Sequence, residues 1–141
     1  MPPLADRIRA SFEAQALMHT LGASLERVEP GEVHIALPHS ARIAQQQGFV
    51  HAGALTSIAD SACGYAALTR MPPGSEVVSA EFKINLLRPA IGQRFLAIGK
   101  VVSSGRTLTV CTGEVHAHAA DGTHKLVALM QATMVRVEAV G

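Results

Sequence analysis

The chain has 141 residues, 48% hydrophobic and 16% charged, with a net charge of +1. That length suits one domain spanning 1–141 with a core that needs no staples, and the apolar content excludes a disordered chain and points to further burial in an oligomer. Near-neutral charge without a basic run argues against nucleic acid as the main partner, and no uninterrupted apolar segment approaches the roughly 20 residues of a membrane span, so a soluble cytoplasmic protein is expected.

Residues 5–20 read as a helix, with Asp6 near its start, Ile8, Phe12, Leu17 and Met18 at roughly helical spacing, and Gly22 just past its end. Ser24 to Val28 and Glu32 to Leu37 are two extended runs around Pro30-Gly31, a hairpin signal. Pro38 to Gln47 is a polar loop apart from Ile43. It leads through His51 into a long, almost uncharged helix that ends at Leu68, before Met71-Pro72-Pro73-Gly74. Glu76 to Arg88 alternates as a half-buried strand, with Val78, Ala80, Phe82, Ile84 and Leu86 on one face and Ser79, Glu81, Lys83 and Asn85 on the other. Arg94 to Ser103, Arg106 to Ala119 and Thr123 to Val137 follow as strands separated by turns, which predicts antiparallel hairpins. The one long apolar helix is the element available to cover so large a sheet, so the sheet should wrap it. No repeat, linker or low-complexity segment calls for a second domain.

Within that helix a single acid, Asp60, shares a stripe with Gly53, Thr56, Ser57, Cys63, Gly64 and Ala67, while Leu55, Ile58, Ala62, Tyr65 and Ala66 cover the other side. A wet helix face would carry Lys, Glu or Gln instead. Small residues leave room for another backbone or a ligand, which places the acid in a partly dry cleft where it can act as base or nucleophile.

The residues carrying this pattern resemble those of the hotdog-fold acyl-CoA thioesterases, in the phenylacetate-degradation (PaaI-like) branch. That family's pattern is a polar amide residue, then Gly-x-x-His-Gly-Gly, then a helix with an acid nine positions after the histidine. Here it reads Gln45-Gln46-Gln47-Gly48-Phe49-Val50-His51-Ala52-Gly53, with Asp60 nine after His51. Val78-Ser79-Ala80-Glu81-Phe82, Leu87-Arg88-Pro89-Ala90 and Ser104-Gly105-Arg106-Thr107-Leu108 are also similar to family segments, so the resemblance runs from about Gly22 to Val137. Two departures stand out: Ala52 replaces the first glycine after the histidine, and Gln45 stands where Asn is frequent.

The resemblance implies an α+β hotdog fold, an antiparallel sheet wrapped around one central helix, and hydrolysis of an acyl-CoA thioester to a free acid and CoA without a cofactor or metal. Backbone N–H groups of Ala52 and Gly53 are the candidate oxyanion donors. Asp60 attacks the carbonyl or draws a proton from water, and Gln45 orients the water or carboxylate. His51 either donates to the carbonyl or fixes the loop. Ser79 matches a position where relatives place a hydroxyl near the acid, although strand alternation sets it on the face opposite Phe82. Arg88 and Arg106, at strand ends, are the candidate cations for the CoA phosphates. The resemblance also implies a homodimer as the minimal active unit, with Gln45 and His51 meeting Asp60 across the interface, and a homotetramer as the assembly. Two rival functions are a hotdog hydratase or dehydratase and a non-catalytic acyl-CoA-binding module.

The remaining polar residues carry weaker signals. Cys63 and Cys111 lack metal-binding spacing and read as buried hydrophobes. His116 and His118 alternate onto one strand face, but two ligands without a third make a poor metal site. His19, His34, His39 and His124 belong to no motif. With one Tyr, four Phe and no Trp, an aliphatic acyl group is favoured over an aromatic one.

Overall fold

The computed structural model describes residues 2–138. Helices α1 (Leu4–Ala14) and α2 (Ala16–Leu21) precede the hairpin of β1 (Ser24–Glu29) and β2 (Glu32–Pro38). A single 3-10 turn, Ala41–Ile43, then leads to α3 (Ala52–Leu68), followed by β3 (Ser75–Leu86), β4 (Arg94–Ser104), β5 (Leu108–His118) and β6 (His124–Glu138). The N-terminal segment is thus two helices rather than one: Gln15 leaves helical geometry at φ −86°, ψ 103°. Gly22 closes α2 in the left-handed region at φ 82°, where a side chain would be strained.

All six strands form one antiparallel sheet in the order β1-β2-β4-β5-β6-β3. The chain departs here from a simple run of hairpins, because β3 pairs with β6 and β4 pairs with β2. The 87–93 segment is therefore a crossover between strands on opposite sides of the sheet. The two edges also differ. On β1 the edge carries Glu26, Arg27 and Glu29 and is flanked by α1, which blunts it, whereas β3 leaves one long edge unpaired and carries Val78, Phe82 and Leu86 at 50%, 42% and 51% exposure.

The sheet curls around α3 as the sequence pattern required, which is the hotdog architecture. The helix lies lowest where Gly99 of β4 pairs with Gly113 of β5. A Cβ at Gly99 would overlap the Ala62 carbonyl, and one at Gly113 would stand 2.9 Å from Cys63 Sγ. Two glycines side by side in neighbouring strands thus form a seat into which the helix backbone sinks. Every residue from Ala62 to Leu68 is buried as a result, including Cys63, Gly64 and Ala67 of the small stripe. Only the first half of the stripe, up to Asp60, retains access to solvent.

On β3 the alternation read from sequence fails at one point. A bulge between Ser79 and Glu81 leaves Ala80 without a partner, so the parity of the strand changes there. Ser79 lies opposite Met134, Phe82 opposite Ala132 and Ile84 opposite Met130, and those three β6 residues are buried against the helix. Cross-strand partners share a face. Ser79 and Phe82 therefore both face α3, which corrects the expectation that the serine points away.

Candidate active site

Asp60 is half-buried on α3, and Ser79 Oγ donates to its Oδ1 at 2.6 Å. The bulge makes this contact possible. Its consequence is a carboxylate with one oxygen held and Oδ2 left without a partner among the described residues. The pair lines a cavity of about 180 Å³ whose other walls come from Ser11 of α1, Gln15 at the break between α1 and α2, Ser61, Gly64 and Tyr65 of α3, Glu76 to Val78 of β3, and Met134.

The loop residues gather elsewhere. Gln45, His51 and Ala52 line a second cavity of about 450 Å³ with Phe49, Leu55 and the chain from Leu86 to Ala90, Arg88 included. The loop is held on both sides: His51 N donates to Ile43 O at 2.8 Å and Val50 N to Ala90 O at 3.2 Å. Gly48 sits at φ 89°, a turn that suits glycine. Gln45 Oε1 accepts from the Gln47 and Phe49 N–H groups, so its carboxamide oxygen is spent on shaping the loop.

His51 is the N-cap of α3, and its Nδ1 accepts from Gly53 N–H at 2.7 Å. Two consequences follow. Nδ1 carries no proton, so the neutral ring holds its proton on Nε2 and offers it outward as a donor. The Gly53 N–H, expected as an oxyanion donor, is already engaged with the imidazole. Ala52 N–H, by contrast, has no acceptor among the described residues and stands at the positive end of the helix. The two readings of His51 are compatible: one nitrogen fixes the loop and the other remains free to bond.

Within one chain these parts do not meet. Nine residues of helix separate Asp60 from His51, a rise of roughly 13.5 Å at 1.5 Å per residue. The two candidate cations are also unequally placed. Arg88 Nη1 donates to Leu126 O at 2.7 Å, and Arg88 stands between the 450 Å³ cavity and a third of about 370 Å³ that includes His124 and Lys125. Arg106, in the β4–β5 turn, lines none of these three cavities.

The two thiols are shielded by burial. Burial pushes the Cys63 thiol far up, with Cys111 and Asp60 adding to the shift, and pushes the Cys111 thiol up to about 11. Both cysteines are free and buried. His116 and His118 are half-buried and gather with His124, ring centroids 5.3 and 5.0 Å from it. Desolvation first, then Arg94, lowers the His118 pKa. Among the described residues no three His, Cys, Asp or Glu side chains are placed to hold a metal ion. No described helix is long and apolar enough to cross a membrane.

Sequence reasoning missed the polar lining contributed by Ser11, Gln15 and Ser61. Their one signal was the polar residue Gln15 amid helical spacing, which marks where the helix breaks.

A sheet wrapped on a helix that bears one solvent-accessible acid, with a histidine at its N-cap, is the hotdog arrangement expected of a thioesterase. The chain belongs to the Thioesterase superfamily, whose sequence profile matches residues 47–120. By family it is a hydrolase. A thioesterase family protein from Silicibacter pomeroyi is 42% identical and superposes with a TM-score of 0.94, covering 97% of this chain and 100% of that one. A Saccharolobus solfataricus protein that carries a provisional esterase name is 30% identical over 123 residues, 84% of this chain and 86% of the relative. The E. coli PaaI protein from the phenylacetic acid degradation operon shares the fold at a TM-score of 0.84 and 23% identity, with 97% of this chain and 95% of that chain covered.

Proposed function

We propose that the protein hydrolyses acyl-CoA thioesters, with each active site built from two copies of the chain. The observation that carries this reading is the position of the two half-sites along β3. The Asp60–Ser79 pair lies near the start of the strand and the His51 cavity adjoins its end at Leu86. Seven residues of strand separate them, about 23 Å at 3.3 Å per residue. The free edge of β3 can pair antiparallel with the same edge of a second copy about a two-fold axis. Such pairing brings the start of one strand opposite the end of the other, so Asp60 of each copy faces Gln45, His51 and Ala52 of its mate.

In that composite site the thioester carbonyl oxygen accepts from Ala52 N–H and from His51 Nε2–H, and these donors strengthen their hold as the oxygen becomes an oxyanion. Asp60 Oδ2 then takes the proton of a water that attacks the carbonyl carbon, or attacks it directly to give an anhydride that water opens. In either route the C–S bond breaks, CoA leaves as thiolate and is protonated, and the acid departs. Ser79 holds Oδ1 so that Oδ2 is aimed. Gln45 Nε2 gives one proton to Gln47 Oε1 at 3.0 Å and uses its second to position the water. Arg88, beside the loop cavity, meets the CoA phosphates, with Arg106 the weaker candidate for the same task. Two such dimers make the proposed homotetramer.

Complementation tests this reading. Asp60→Asn and His51→Ala are each expected to lose most turnover. After subunit exchange of equal amounts, half the dimers are mixed and each mixed dimer holds one intact site, which restores about a quarter of wild-type activity. Two inactive variants that stay inactive after exchange, with mixed dimers demonstrated by mass, would refute the shared site.

A further inference from the structure

The third cavity, of about 370 Å³, takes no part in the hydrolytic step. It opens where the crossover from β3 to β4 passes the end of the β5–β6 hairpin, between Arg88, Pro89 and Ile91 on one side and Ala117, His124 and Lys125 on the other. The crossover is pinned there. Leu87 N donates to Val127 O and Gln93 N to His118 O, both at 2.8 Å, and a Cβ on Gly92 would stand 3.0 Å from His118 O. None of the residues lining this cavity belongs to β3, so its walls come from elements away from the edge through which two copies pair.

Charge in this cavity is one-sided. Lys125 lies opposite Ala117, which is buried on the helix-facing side, so strand register sets a cation on the covered face of the sheet. Lys125 and His124 make no hydrogen bond or ion pair among the described residues, and Arg88 spends only Nη1, on Leu126 O. No Asp or Glu lines the cavity. Asp121, in the adjoining turn, directs Oδ1 to the Thr123 N–H at 2.9 Å and hydroxyl at 2.6 Å. The surroundings are positive as well: after burial, Arg94, His124 and His116 all lower the His118 pKa, with Glu26 opposing them. Beside these cations Pro89 and Ile91, the latter 63% exposed, form an apolar shelf. Cations around an apolar shelf suit a ligand with phosphate groups and a flat, weakly polar ring.

We infer that this cavity holds the nucleotide end of CoA, with Lys125 and His124 on the 3′-phosphate, Arg88 on the pyrophosphate and the adenine ring on Pro89 and Ile91. Continuity carries the placement. Arg88 and Pro89 line both this cavity and the loop cavity, so a thioester held by His51 and Ala52 runs its pantetheine arm past Leu86 to Ala90 and emerges beside Arg88. The inference rests on the acyl-CoA reading of the loop and deepens it. Such a site separates CoA thioesters from the same phosphopantetheine arm attached to a carrier protein, which has no adenosine 3′-phosphate.

CoA is released whatever the acyl group, so calorimetry with CoA, dephospho-CoA and 4′-phosphopantetheine tests the site without knowledge of that group. CoA is expected to bind about tenfold more tightly than dephospho-CoA, the difference one charge-assisted contact makes. Lys125→Ala and His124→Ala, exchanges of exposed side chains, are each expected to bring that ratio toward one and to leave the affinity for phosphopantetheine unchanged. Lys125→Arg should keep the preference. The ratio is the readout because a merely structural role would change all three ligands alike. Equal affinity for CoA and dephospho-CoA in the wild-type protein, no binding of CoA, or a ratio that neither alanine variant lowers overturns the inference. Turnover of an acyl-CoA panel is scored separately. A preference for CoA over dephospho-CoA without any turnover means that the hydrolytic reading alone has failed, and turnover with equal affinities means that the nucleotide site alone has failed.

Discussion

Gly53→Ala separates the role of the His51 ring from the stability of the helix it caps. Alanine is the better helix former by about 0.8–1.0 kcal/mol, so propensity alone predicts a more stable protein. The added Cβ, however, would stand 2.9 Å from His51 Nδ1 and 3.3 Å from Cε1, closer than a side chain tolerates. The ring must rotate away and release the Gly53 N–H, and loss of an N-cap bond costs about 0.5–2 kcal/mol. The two effects nearly cancel, so the melting temperature should move by only a few degrees. Catalysis has no such compensation: a misplaced oxyanion donor costs about 10²–10³ in kcat. Steady-state kinetics with a thiol-detecting reagent, beside thermal unfolding by circular dichroism, reads both quantities. Ala52→Gly is the control, since it weakens the helix by a similar propensity term without touching the ring. A Gly53→Ala protein that folds and keeps wild-type kcat would refute the assignment of His51 Nε2–H to the carbonyl.

Further consequences can be measured on the free protein. Gly99→Ala forces a methyl group into the Ala62 carbonyl and should cost about 1–3 kcal/mol or more, seen as a lowered urea midpoint. Burial raises the pKa of both thiols, so neither Cys63 nor Cys111 should react with a maleimide at pH 7 until the protein is unfolded, when both should. The Glu32 carboxylate accepts from His34 Nε2 at 2.6 Å, a hydrogen bond that, with Lys100 nearby, holds its pKa below the ordinary 4.5. Its contribution is therefore present above that value and lost as the pH falls through the lowered one, so Glu32→Gln should flatten the acid limb of melting temperature against pH.

Much of this molecule was legible from spacing. The alternation in β3 to β6 and the uncharged run of α3 gave elements whose observed limits differ by a few residues, and the helix with its lone acid announced the wrapped sheet. Three features were not legible, each for a physical reason. Strand order depends on contacts between distant segments, so the crossover that carries β3 to the far edge left no local mark. The bulge at Ala80 turns Ser79 toward Asp60, and one unpaired residue does not disturb an alternating string enough to be seen. The His51–Gly53 hydrogen bond reverses the expected use of the Gly53 N–H, because a side chain two residues away claims it first. For the candidate site, the motif pointed to Asp60, Gln45 and His51 as expectations and gave no sign of the cavity lining by Ser11, Gln15 and Ser61, whose polar residues look like ordinary surface until the helix breaks.

The bare edge of β3 has a practical consequence for handling the protein. A long strand with unspent backbone donors and acceptors, flanked by Val78, Phe82 and Leu86, templates the addition of whatever strand it meets. Variants designed to keep two copies apart should therefore tend toward precipitation and fibrous deposits rather than a well-behaved single-chain species, unless a lysine or proline is placed on that rim at the same time.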